Sequence, residues 1–220
     1  CMGRETHERD VARTRRCGYC AAMIEDPRLV LLRRRLERRP AVVLPREDGY
    51  GEAAVAVVLR PRAELELLLI KRAEQAMDPW SGHMALPGGR RDAGDVDLRA
   101  TAERETEEET GIELARTGEL LGALDEVPTR HERLPRLVIA PFVLGVPADA
   151  VATPEPREVE AALWVPLSAL REEGAVGELV VELEGGSLSF PSIRYGEHTI
   201  WGLTHRILMQ FLEVAAEAGV

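Results

Sequence analysis

Arg104-Glu105-Thr106-Glu107-Glu108-Glu109-Thr110-Gly111-Ile112, with Leu86-Pro87-Gly88-Gly89 a short distance upstream, is the stretch from which the rest of this 220-residue chain is read. At about 3.6 residues per turn, Glu105, Glu108 and Glu109 fall within an arc of roughly 100°, while Glu107 points roughly the opposite way. Carboxylates packed that closely repel one another on a helix unless a cation sits among them, and a dense set of oxygen donors suits hard ions such as Mg²⁺ or Mn²⁺. A solvated acidic face is the simpler reading of the glutamates taken alone. The Pro-Gly-Gly turn upstream, Arg104 directly before the first glutamate and the stop at Gly111 tilt the reading toward a metal site.

The combination resembles the Nudix box, whose pattern is Gly, five residues, Glu, seven residues, then Arg-Glu-apolar-x-Glu-Glu-x-Gly-apolar. Arg104, Glu105, Glu108, Glu109, Gly111 and Ile112 match its second half, and Thr106 stands at a position usually apolar. Counting from Gly89, the first acid is Asp95 rather than Glu, and the spacer from Asp95 to Arg104 is one residue longer than the pattern. Leu68-Leu69-Ile70-Lys71-Arg72-Ala73 and Gly82-His83-Met84-Ala85-Leu86-Pro87-Gly88-Gly89 are similar to the coenzyme A pyrophosphatase branch of that family. Arg72 and Gly82 match that branch, Leu86 replaces its Phe, and Met77 stands where it carries an Arg. Glu158 to Leu167 and His198-Thr199-Ile200-Trp201-Gly202-Leu203-Thr204 are similar to it as well.

The resemblance implies an α/β fold, a Nudix-type α/β/α sandwich with a mixed central sheet. It implies Mg²⁺ or Mn²⁺ held by Glu105, Glu108 and Glu109 with a backbone carbonyl of the Gly88-Gly89 turn, and hydrolysis of a pyrophosphate bond in a nucleotide. The substrate implied is coenzyme A or an acyl-coenzyme A, cut to 3′,5′-ADP and 4′-phosphopantetheine. ADP-ribose, NADH, dinucleoside polyphosphates and oxidised nucleoside triphosphates are the alternatives, because fold and box do not set the leaving group. A non-catalytic Nudix-fold ligand sensor is the alternative of another class, one expected to have lost carboxylates. Arg104 is expected to pair with a carboxylate, since the position before Glu105 turns roughly 100° away from the arc. The general base is a box glutamate or a later acid, Glu158 or Glu126. Arg72, His83, Gly88 and Gly89 are expected against the substrate, and Trp80 or Trp201 against an adenine or in the core.

The chain is 45% apolar and 30% charged, enough for one sizeable core, so residues 23–220 are read as a single domain. A net charge of −10 argues against a protein that coats nucleic acid. No apolar run of about 18 residues is present and no apolar signal-peptide core opens the chain, so a cytoplasmic protein without a membrane partner is expected. A homodimer is compatible with this composition. Cys1, Cys17 and Cys20 all fall in the first twenty residues, and Cys17-Gly18-Tyr19-Cys20 lacks the two further ligands of a zinc site beyond Cys1 and His7. Residues 1–22 have no usable periodicity and read as a loose extension, which raises Met23 as a natural start.

Leu29, Leu32 and Leu36 recur at helical spacing within 27–39, with Arg33, Arg34, Arg35, Arg38 and Arg39 read as a solvated face. Ala54–Leu59 and Leu65–Ile70 predict a hairpin. Asp95 and Asp97 are candidate N-caps of the box helix, with Leu98, Ala102 and Thr106 facing the sheet and the carboxylates on the opposite stripe. Further strands are expected near Leu120–Leu124, from Leu137 to Val146 with Pro141 marking an edge or bulge, and at Ala161–Val165. A short helix after Val165, a hairpin around Gly185-Gly186 and a closing helix from Ile200 to Val214 complete the reading. Residues 147–157 have linker composition.

Overall fold

A computed structural model describes residues 26–46, 49–74, 81–129, 135–183 and 186–220. The expectations for the cysteines, for 1–22, for Met77 and for Trp80 lie outside these residues.

The first helix, α1 (Pro27–Glu37), starts where the sequence can start one: Asp26 accepts from the Arg28 backbone N–H at 3.0 Å, and Pro27 occupies the first turn. Leu29, Leu32 and Leu36 are its buried stripe. Arg34 and Arg38 are exposed as expected, whereas three of the arginines expected to be solvated are partly covered ion-pair partners: Arg33 meets Glu119, Arg35 meets Glu217, and Arg39 meets Asp125 at 2.7 Å. Long arginine stems lie along neighbouring apolar surface while their ends reach carboxylates of other segments, which periodicity alone does not show.

Strands β1 (Gly51–Pro61) and β2 (Leu65–Arg72) form the expected hairpin. They are followed by β3 (Met84–Ala85), β4 (Gly88–Arg90), the box helix α2 (Leu98–Thr110) and a single turn, α3 (Leu114–Thr117). Next come β5 (Glu119–Ala123), β6 (Val127–Pro128), β7 (Leu137–Gly145) and β8 (Val159–Pro166). These eight strands make one sheet with the central order β3-β2-β1-β7-β5, in which β1 and β7 run parallel and the other pairs antiparallel. It is a mixed sheet, as expected. The chain closes with β9 (Val176–Leu183), β10 (Gly186–Tyr195) and β11 (His198–Trp201), which form a second sheet, and with α4 (Gly202–Glu217).

Strand β1 shows why the sheet is covered on both sides. Its side chains alternate faces. Val57 and Leu59 join a cluster with Leu29, Leu32, Leu208 and Phe211 under α1 and α4, while Ala54, Ala56 and Val58 join Ala102 and Leu144 under α2. The result is a three-layer sandwich. Among the described residues, no helix is long and apolar enough to cross a membrane.

Four expectations need correction. Pro141 is on neither an edge nor a bulge of its own strand, since β7 is paired on both flanks. Its carbonyl accepts from the Leu124 N–H, and a strand residue's N and O point the same way, so the missing N–H faces the break between β5 and β6. The closing helix begins at Gly202, because Ile200 and Trp201 are spent pairing β11 with β10. Residues 167–171 are turns rather than a helix. The 147–157 segment is not a linker: Thr153 and Glu155 donate backbone N–H groups to the carbonyls of Thr110 and Glu109 at 2.7 and 3.0 Å, satisfying the C-terminal end of α2.

Candidate active site

Helix α2 is held at both ends. Asp97 caps it, accepting from the Ala100 N–H at 2.7 Å, and Gly111 ends it with φ of 69°, a left-handed position suited to glycine. Asp95, the other candidate cap, instead binds the Arg104 guanidinium at 3.0 Å through each carboxylate oxygen and accepts from Thr101 and from the Asp92 N–H. The Arg104 guanidinium, with help from those donors, holds the Asp95 carboxyl far below the usual carboxylate range. Arg104 also reaches Glu108 at 2.8 Å, Glu105 at 3.1 Å and the Arg90 carbonyl at 3.1 Å, so it ties α2 to the end of β4. The expected carboxylate pairing of Arg104 is therefore a junction of three acids.

Glu109 does not occupy the stripe opposite the sheet, where Glu108 does lie exposed. Seven residues at 100° each bring Glu109 to within about 20° of Ala102, on the covered side. Glu109 is 2% exposed; its Oε2 accepts from the Gly88 N–H at 2.8 Å, and its Oε1 lies 3.8 Å from the Arg72 guanidinium. Burial pushes the Glu109 carboxyl up to about 8, with the nearby charges of Glu105 and Glu158 adding to the rise and the Gly88 N–H and Arg72 opposing it. Glu105 is also raised, first by burial. Its carboxylate lies flat against the chain at Gly89, where an added Cβ would come within 2.5 Å. Glu107 is exposed, as its position on the wheel requires.

Glu108 is a departure. It is exposed and turned toward Arg104, and among the described residues no three His, Cys, Asp or Glu side chains are arranged to hold a metal. The structure brings Glu105, Glu109 and, within electrostatic reach, Glu158 together instead of Glu105, Glu108 and Glu109. The donor set fits a hard divalent ion nonetheless: two desolvated carboxylates, both destabilised in their charged form, lie against adjacent residues of the two-glycine turn, Glu109 at Gly88 and Glu105 at Gly89. Glu108 completes the set only by leaving Arg104.

Glu158 is exposed in the turn just before β8, where its carbonyl accepts from the Ala73 N–H at 2.8 Å, one residue beyond Arg72. Glu126, the other candidate base, is committed elsewhere. Its carboxylate takes both Arg46 nitrogens at 2.6 Å and the Leu44 N–H at 2.8 Å, so it serves the fold. His83 stacks edge-on against Trp201 with ring centres 5.0 Å apart, and its carbonyl accepts from the Arg72 N–H. Both rings line a cleft of about 650 Å³. Sequence reasoning missed the rest of that cleft, including Lys71, Glu160, Leu179 and Val181. The one available signal was the alternation in Leu188-Ser189-Phe190, which marks a strand with one apolar face.

Comparison with known proteins places this geometry. The NUDIX domain model matches residues 49–181. Nudix hydrolase 22, chloroplastic, of Arabidopsis thaliana is 31% identical over 182 residues, covering 74% of this chain and 58% of that protein. The mitochondrial coenzyme A diphosphatase NUDT8 of Mus musculus is 31% identical over 171 residues, covering 74% of this chain and 79% of that one. The chain spans 32% and 58% of the length of two curated relatives, one from Schizosaccharomyces pombe and the Arabidopsis protein. A MutT/nudix family protein of Enterococcus faecalis has the same fold, with a TM-score of 0.53 at 19% identity over 84% of this chain and 73% of that one. A domain match across more than half of the chain, laid over a two-glycine turn and a glutamate-bearing helix, shows that this chain belongs to the Nudix family.

Proposed function

We propose that this chain is a divalent-metal-dependent hydrolase of the pyrophosphate bond in a nucleoside diphosphate derivative, coenzyme A or an acyl-coenzyme A, giving 3′,5′-ADP and 4′-phosphopantetheine. The observation that carries this reading is the pair Glu105 and Glu109, desolvated against Gly88 and Gly89 with the Arg72 cation beside them. The similarity to the mouse coenzyme A diphosphatase supports the choice of substrate.

Glu105 and Glu109, joined by Glu108, would hold Mg²⁺ or Mn²⁺. When bound, the ion supplies Lewis acidity toward the diphosphate oxygens and the attacking water. Arg72 presents a guanidinium to one phosphoryl group, and the Gly88-Gly89 turn holds Glu109 and Glu105 beside it. Glu158 accepts the proton of the water as its oxygen attacks phosphorus; the bridging P–O bond breaks and the departing phosphate carries the electron pair. Arg104 contacts no reacting atom in this scheme and positions α2 through Asp95 and the Arg90 carbonyl.

The test is a panel. Purified protein with Mg²⁺ or Mn²⁺ is offered coenzyme A, ADP-ribose, NADH, diadenosine polyphosphates and 8-oxo-dGTP, with products identified by mass. The reading expects the highest kcat/KM on coenzyme A or its thioesters. A higher value on ADP-ribose or a nucleoside triphosphate discards the coenzyme A assignment, and no hydrolysis with metal bound favours a ligand sensor.

A further inference from the structure

The cleft lined by Lys71, His83, Met84 and Trp201 is poorly suited to a phosphate. Lys71 is the lysine in its lining, and its Nζ is already bound to Glu160 at 2.7 Å, with Glu197 also in the wall. An anion placed there faces two carboxylates and a cation that is in use. His198 in the lining has ring nitrogens that hydrogen-bond neutral groups equally well. The cleft's volume, about 650 Å³, lies in the range of small-molecule sites.

One wall is apolar, and the register explains it. Val181 pairs with Leu188 and Leu179 with Phe190, and directly opposed residues of an antiparallel pair share a face. Ser192 pairs with Trp201 on that same face, and the Trp201 ring sits 5.3 Å from Phe190. Leu179, Val181, Leu188, Phe190 and Trp201 thus form one surface, whose outer end, Leu188, is 47% exposed. Strands β10 and β11 lie beyond residues 49–181, so most of this wall is added to the part of the chain that the NUDIX domain model matches. From Met84 in the cleft to Gly88 beside Glu109 there are four residues, at most about 14 Å of chain.

We infer that this cleft receives the uncharged arm of the substrate beyond the diphosphate, and that its apolar wall selects an acyl thioester at the end of that arm over the free thiol. The inference rests on the function proposed above. A neutral amide arm suits His198 and Thr199 of the lining, and an acyl chain covers Leu179, Val181 and Leu188, which are otherwise left partly in water.

The experiment compares kcat/KM for hexanoyl-coenzyme A and coenzyme A on the full chain with Mg²⁺, for the wild type and for Leu179→Asn, Val181→Asn and Leu188→Asn. Taking the ratio on one sample removes any difference in the folded fraction, and Leu188 is exposed enough that its substitution leaves folding intact. The wild type should prefer the thioester by roughly tenfold, and each substitution should cut that preference severalfold. Val180→Asn, on the opposite face and 57% exposed, should leave the ratio unchanged. Cleavage of coenzyme A with no thioester preference, or with a preference that the three substitutions leave intact, overturns the inference alone. Cleavage of ADP-ribose with neither coenzyme A compound touched overturns the proposed function and the inference with it.

Discussion

Two adjacent glycines should respond to the same substitution in opposite ways. Gly88 has φ of 147°, and a Cβ built on it would lie 2.3 Å from the Ala54 carbonyl oxygen and 2.6 Å from the Val55 Cα. Those atoms belong to β1, a central strand buried on both faces, which pairs with Gly88 at Val55. Gly88→Ala therefore carries two costs that no side-chain movement relieves, about 1–3 kcal/mol for a backbone region other residues avoid and about 1–3 kcal/mol for overpacking. Their sum of about 4 kcal/mol corresponds to a melting temperature lower by roughly 12 °C in a chain of this size. At Gly89 the three atoms nearest an added Cβ are those of the Glu105 carboxylate, at 2.5 to 2.6 Å, the far end of a flexible side chain. Gly89→Ala should cost about 1 kcal/mol or less of stability, yet it pushes Glu105 off the turn, and a displacement of that order at a reacting site costs about 10² in rate.

The assay is thermal unfolding followed by circular dichroism, beside metal-dependent phosphate release. Gly88→Ala should melt far below the wild type, while Gly89→Ala should melt close to it with turnover reduced about a hundredfold. A Gly88→Ala protein melting within about 3 °C of the wild type refutes the close approach of the turn to β1. Equal turnover of Gly89→Ala and the wild type refutes the contact between Glu105 and the chain.

Glu105→Gln and Glu109→Gln should each lower turnover by about 10² with melting retained, whereas Glu107→Gln, exposed on the far side of α2, should be nearly silent. Equal damage at Glu107 would show the helix register to be wrong. Arg104→Met and Asp95→Asn should prove strongly coupled in a double-mutant cycle for stability, by about 2 kcal/mol, since the Asp95 side chain is only 7% exposed and would lose its partner; coupling below about 0.5 kcal/mol contradicts the pairing. Acid should unfold the protein through Glu52 and Glu126. Arg46 and Arg91 hold Glu52 below its usual value of 4.5, and Arg46 with the Leu44 N–H holds Glu126 below it despite burial, which acts the other way. Lowered carboxylates contribute stability that is present above their unfolded pKa and lost as pH falls through the folded one, so urea midpoints should drop below about pH 4.5. Arg46→Met should flatten that drop, and an unchanged pH dependence in this variant would sink the assignment.

What was legible in the sequence was local, and what was not legible arose from register. The hairpin of β1 and β2, the caps at Asp97 and Gly111 and the apolar stripe of α1 follow from residues within a turn or two of one another, so periodicity and capping chemistry suffice. Glu158 comes near Glu105 and Glu109 because β8 pairs with β2 and brings Val159 opposite Arg72, across a separation no window of sequence spans. The cleft wall depends likewise on Ser192 pairing with Trp201. The misplacement of the carboxylates is of another kind, because the wheel held the answer. Leu98 and Ala102 belong to the face expected against the sheet, and position 109 falls between them at about 100° per residue, so a covered Glu109 follows from the same arithmetic. Expecting charge to stay in water overrode the geometry. A buried carboxylate needs partners, and here the Gly88 N–H and the Arg72 guanidinium reach it from the turn and from β2. That is why a two-glycine turn and a glutamate 21 residues apart act as one unit: the turn supplies the backbone donor that lets the acid sit inside, and the acid fixes the turn beside the site.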